Sequence, residues 1–162
     1  MQRLRLVSFF VVAACAKDGK PSPAAAPADG WQCFARDPAE PDQPQGNVGF
    51  IRQRVIEGRI ETDSVFVQGG AGGATRLVLT PKGDHLEATL KGQLVTARLL
   101  VADGSHWILS YKDDAHGLSF DEDSVIAGGI LTVTSMDGGE KTAVKFIPAS
   151  CDVVVAELAK YP

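Results

Sequence analysis

Over residues 76–101 apolar and polar side chains take turns along the chain. Leu77 and Leu79 alternate with Arg76 and Thr80. Leu86, Ala88 and Leu90 alternate with His85, Glu87 and Thr89. Val95, Ala97, Leu99 and Val101 alternate with Thr96 and Arg98. A period of two sends successive side chains to opposite faces of an extended chain, so each run predicts a strand with one buried face. Between the runs stand Pro81-Lys82-Gly83-Asp84, Lys91-Gly92 and Asp103-Gly104. Each offers a glycine where a tight turn takes positive φ. Consecutive strands joined by such hairpins are antiparallel.

The meander extends in both directions. Residues 107–112 put Trp107, Leu109 and Tyr111 on one side, and further strands are predicted at 130–136 and 142–147, with Asp137-Gly138-Gly139 as the turn between them. Earlier strands are predicted at 31–35, 48–55 and 64–68, and residues 113–123 read as an acidic loop. The fold class is therefore all-β: an antiparallel meander of about eight or nine strands forming a small barrel or a two-sheet sandwich. A short C-terminal helix is expected at 152–160 with Asp152 as its cap, although Val153, Val154 and Val155 suit a strand equally well.

The other end of the chain has a different pattern. Residues 1–5 carry Arg3 and Arg5 and no acid, and the apolar run LVSFFVVAA at 6–14 follows them. That is the layout of an export signal, and the run falls short of the roughly 20 apolar residues of a membrane-spanning helix. Val12-Ala13-Ala14-Cys15 resembles the lipobox of bacterial lipoproteins, in which the cysteine receives a diacylglycerol before cleavage. The resemblance implies that residues 1–14 are removed and that a lipidated Cys15 anchors the chain to the bacterial cell envelope. By the same resemblance Ala16, which is not an aspartate, favours the outer membrane over the inner. Several acyl chains, each buried methylene contributing about 0.8 kcal/mol, make such an anchor durable. Residues 15–29 hold Pro21, Pro23 and Pro27 among alanines and read as a tether with an end-to-end distance of about 20 Å. Residues 30–162 then form a single β-domain, long enough to bury a core.

Composition fits this organisation. The chain has 162 residues, 44% apolar and 22% charged, with a formal net charge of -4. Loss of Arg3 and Arg5 with the signal leaves 14 basic residues against 20 acidic ones, a net charge of -6. Nucleic acid is a poor partner for such a surface, because binding it relies on positive charge to displace counterions. Assigning Cys15 to the anchor leaves Cys33 and Cys151, an even pair in an oxidising compartment, which predicts one disulfide between the start and the end of the domain. The meander, the late helix and this disulfide together resemble the lipocalin arrangement in architecture. The glycine, any residue, tryptophan signature of that family is not matched, since Gly30 and Trp31 are adjacent.

Candidate chemistry is sparse. The glycine-rich 68–74 segment lacks the lysine and hydroxyl of a phosphate-binding loop and reads as a hairpin loop. Asp113, Asp114, Asp121, Glu122 and Asp123 gather carboxylates of the kind that bind calcium, but no turn glycine or closing glutamate follows, so a solvated loop is expected. His85, His106 and His116 lack the paired spacing of helical zinc motifs, although His85 and His106 could approach across neighbouring strands. Ser105 precedes His106 directly and lies in no nucleophile elbow. Arg52 and Arg54, with Arg59 nearby, share a strand face that could meet an anion, or simply water. Trp31, Trp107, Phe66 and Phe146 read as core. No catalytic residue, metal ligand or cofactor is assigned, and the expectation is a non-enzymatic, lipid-anchored envelope protein. Its domain binds a protein partner or supports an assembly in the leading reading, and holds a small apolar ligand inside a barrel in the alternative.

Overall fold

The computed structural model describes residues 29–41, 47–68, 71–113, 118–137 and 140–161. The signal segment, Cys15 and the tether up to residue 28 lie outside the described residues, as do Asp114 and His116. Ten strands follow in chain order: β1 (Gln32–Arg36), β2 (Asn47–Ile56), β3 (Arg59–Gln68), β4 (Ala71–Lys82), β5 (His85–Leu90), β6 (Gln93–Val101), β7 (His106–Asp113), β8 (Leu118–Ala127), β9 (Ile130–Asp137) and β10 (Glu140–Pro148). A single helix, α1 (Cys151–Leu158), ends the described fold. Each strand pairs antiparallel with the next, and β1 pairs with both β2 and β10, so the sheet is a closed up-and-down barrel. Closure leaves no unpaired edge to recruit another chain.

The hairpins form where the glycines are. Glu57 and Gly58 between β2 and β3 (φ 51° and 75°) and Lys91 and Gly92 between β5 and β6 (φ 51° and 84°) both adopt positive φ, the condition for a two-residue turn that matches strand twist. The 57–58 turn starts β3 at Arg59, five residues ahead of the expected 64.

Two strand expectations need correction. The expected acidic loop at 113–123 is largely strand: β8 runs from Leu118 and pairs with β7 and β9 through Asp121, Glu122 and Asp123. In a strand those acids alternate between faces and need not repel one another as in a compact loop, so composition was a poor guide. The second concerns β6, where the register shifts between Leu99 and Val101. That bulge inserts one residue and turns Val101 outward, 42% exposed, against the simple alternation.

Helix α1 packs on the outside of the wall, over β1, β2 and β3. An eight-residue helix is too short to be stable alone. Val154 and Leu158 supply the missing stability by burying themselves with Trp31, Cys33 and Val65, each contributing about 1.5–3 kcal/mol. Cys33 is joined by a disulfide to Cys151, the first residue of the helix. The helix therefore starts at Cys151 rather than 152, and its cap position is Ser150, which makes no side-chain capping hydrogen bond. Asp152 lies instead in the first turn, where its charge suits the helix dipole. Just past the helix, the Tyr161 ring lies against Gly72 so closely that any side chain at 72 would overlap it. That contact gives one residue of the glycine-rich segment a packing reason.

Inside the barrel the core is divided. Ile60, Leu77, Leu79, Leu86, Val95, Ala97, Trp107 and Leu109 form one buried cluster from β3 to β7. Phe34, Leu131 and Phe146 form a second, with Val48, Ile51, Ile126, Val133 and Val144 against it. The space between the two clusters is the candidate site.

Candidate functional site

A ten-stranded barrel is wider than the eight-stranded kind whose interior side chains can just fill. Here several inward positions also carry small hydroxyl side chains: Thr62 and Ser64 on β3, Thr75 on β4, Ser124 on β8 and Ser135 on β9. Width and small side chains together leave a cavity of about 890 Å³, within the range of small-molecule sites.

In an up-and-down barrel alternate connections lie at the same end. The turns at 57–58, 83–84, 102–105 and 128–129 share one end, and there the lumen is stopped. Gln53 Nε2 donates to the Gly104 carbonyl at 3.4 Å, bringing the 102–105 turn over the interior, and Ile60 and Leu79 are fully buried. The cavity extends to the opposite end, where Pro41, Val48, Phe66 and Glu140 line it and Phe66 is 37% exposed. Phe66 thus stands at the mouth rather than in the core.

The lining is amphiphilic. Ile51, Leu109, Val133, Val144 and Phe146 supply apolar wall. Two deeply buried residues in the same lining each hold a polar atom with no partner among the described residues: Gln53 Oε1, an acceptor, and Trp107 Nε1–H, a donor. These residues are only 3% and 5% exposed. An unmade hydrogen bond in such a place costs about 1–3 kcal/mol, which a molecule in the lumen would relieve.

Glu122 is the third unusual group. It lines the cavity, and the Ser135 hydroxyl opposite it on β9 donates to its carboxylate at 3.5 Å. Burial holds its pKa above the ordinary carboxylate value, and the serine bond offsets this only in part. The only other charged side chains lining the cavity, among the described residues, are Arg36 and Glu140. Arg36 Nη2 donates to the Pro41 carbonyl at 2.6 Å, and the buried Arg36 Nε has no partner among the described residues.

The acidic run thus splits across the wall. Glu122 faces the lumen, while Asp123 accepts from His106 Nε2 at 2.9 Å. No group of three metal-ligating side chains occurs among the described residues. His85 and His106, which could have met across neighbouring strands, are on β5 and β7 with β6 between them. His85 sits between Asp84 and Glu87 at 3.0 and 2.9 Å, and those bonds raise its pKa.

Arg52 and Arg54 are engaged within the wall. Arg52 Nε donates to Asp63 at 2.7 Å and Arg54 Nε to Glu61 at 2.7 Å. Both guanidinium groups also lie on the Trp31 ring, 4.3 and 4.6 Å from its centroid. Trp31 is buried as expected, but in the outer cluster with α1.

Sequence reading missed the lumen acid, Gln53 and the inward hydroxyls. One signal for Glu122 was available: Glu122, Ser124 and Ile126 keep a period of two through the acids. Ser124 is 2% exposed and Ile126 packs on the second core cluster. No protein-family model matches the chain, and no curated protein or solved structure matches it.

Proposed function

We propose that the chain is a lipid-anchored envelope protein whose barrel holds a small amphiphilic molecule in its lumen, binding it without chemical change. The observation that carries the reading is the 890 Å³ cavity into which Gln53 and Trp107 bring buried polar atoms lacking partners. A site of this kind favours a mostly apolar body with a few polar groups to fix its orientation. The anchor at Cys15 and the tether place the barrel near a membrane, where molecules of that character concentrate. The disulfide and the helix brace the wall from outside, leaving the lumen side free for a ligand.

Two measurements test this. Native mass spectrometry of protein isolated from its own source is expected to show a co-purifying small molecule, or an environment-sensitive apolar dye is expected to bind with one site per chain. Ser64→Phe, which puts a ring into the cavity, is expected to weaken either signal with the fold intact. Failure of both signals in the wild type would overturn the reading. Intact mass is expected to show acyl chains on Cys15, and an unmodified product would remove the anchor.

A protein-docking role has one specific observation in its favour. Leu94, Leu100 and Val101 on β6 are 53%, 47% and 42% exposed. Pull-down from envelope extracts tests it, with Leu94→Glu expected to lose a partner that the wild type retains. Equal retention by both forms would discard it.

A further inference from the structure

The Glu122 carboxylate differs from the other substantially buried acids described. Asp63 and Glu61 each lie within 2.7 Å of an arginine nitrogen, whereas Glu122 has, among the described residues, only the Ser135 hydroxyl at 3.5 Å. Of the other charged groups lining the cavity, Glu140 is of like sign, and Arg36 bonds the Pro41 carbonyl through Nη2 while its buried Nε has no partner; among the described residues no ion pair joins it to Glu122, on whose carboxyl only burial and Ser135 act. β7 opposes Glu122 with Leu109 and β9 with Ser135. A neutral ligand would need only a hydroxyl or an amide at this position. A carboxyl buried with so few polar partners carries a desolvation cost that an opposite charge offsets best.

We infer that the lumen ligand is an organic cation: an amine with an apolar body, its ammonium group seated on Glu122. This rests on the lumen-binding reading above. The Gln53 Oε1 acceptor in the same cavity suits a second ammonium N–H. Trp107 and Phe146 offer ring faces that tolerate positive charge better than an aliphatic wall does. The acidic balance of the chain, -4 in full and -6 without Arg3 and Arg5, favours cations over anions at the mouth, where Glu140 stands.

Octylamine, 1-octanol and octanoate share a chain length and differ only in head group, so calorimetric titration of the full chain at pH 7.5 separates the cases. Octylamine is expected to bind at least tenfold more tightly than 1-octanol, and octanoate more weakly than either. Glu122→Gln is expected to weaken octylamine at least tenfold while leaving 1-octanol within about threefold. Asp121→Asn makes the same change of charge at the exposed neighbouring position and is expected to leave all three affinities unaltered. Octanol binding as tight as octylamine in the wild type, or an octylamine affinity indifferent to Glu122→Gln, would overturn the inference while leaving the lumen reading standing. Binding of none of the three would overturn both.

Discussion

The barrel wall carries buried charge on both faces, and the two faces treat it differently. Outside, Arg52 and Arg54 are each paired with a carboxylate and stacked on Trp31, next to a helix fixed by a disulfide. Inside, Glu122 has a single long hydrogen bond from a serine. Structural charge in a folded protein is satisfied, because breaking a buried pair is costly. A charge left unsatisfied beside a cavity implies a partner that arrives from elsewhere. The contrast teaches which of the two clusters to read as scaffold and which as site. The arginines, the more conspicuous group in the sequence, belong to the scaffold.

The largest expected effect comes from the outer face. Replacing Cys33 and Cys151 together by serine opens a bridge spanning 118 residues, and should lower stability by about 4–5 kcal/mol on the chain-entropy estimate. Urea denaturation measures it. A loss below about 1 kcal/mol would show that Val154 and Leu158 hold the helix unaided. Next, Asp63→Ala leaves Arg52 beside Trp31 without its carboxylate and should cost about 2 kcal/mol, less than a fully buried pair because the arginine side chain is 23% exposed. A neutral result by thermal melting would place that pair among the many ion pairs that contribute little.

On the inner face the sign reverses. The folded chain holds the Glu122 proton more tightly than the unfolded chain does, so stability from this group is complete at low pH and is lost as pH rises through its elevated folded pKa. Glu122→Gln is therefore expected to raise stability at pH 7.5 by on the order of 1 kcal/mol. The gain should vanish below about pH 4, where both states are protonated. Melting curves across pH check this. A destabilised variant at neutral pH would mean that Glu122 is satisfied in the fold, ending the contrast. Smallest of all, Ser135→Ala removes the long hydrogen bond and should change stability by less than about 0.5 kcal/mol, while raising the Glu122 pKa further, readable by carbon-13 NMR of the carboxyl carbon. A fall in that pKa would contradict the assigned role of Ser135.

Much of the fold was legible because strands and turns are local. The runs at 85–90 and 95–101 match β5 and β6 closely, with positive-φ glycines before and between them, whereas β4 starts at Ala71, five residues ahead of the run at 76–80, so that residues 71–74 of the expected glycine-rich loop are strand. The disulfide followed from counting cysteines. β8 was hidden by its composition, since three acids in a row look like loop even where Ser124 and Ile126 preserve the alternation. The site was legible only in fragments: Trp107 stood out, whereas Gln53, Glu122 and Ser135 look like ordinary surface residues when taken singly.

Local pattern was enough for most of the strands, their antiparallel order and the cysteine pair, because each depends on neighbours in the chain or on simple counting. The tertiary structure alone decided that ten strands close on one another, that β1 joins β10, and which side of each strand faces the lumen. Alternation separates two faces without saying which is interior, and here both are covered over part of the wall: one by the opposite strands, the other by α1. Only closure turned Glu122 toward the cavity and Arg52 and Arg54 away from it.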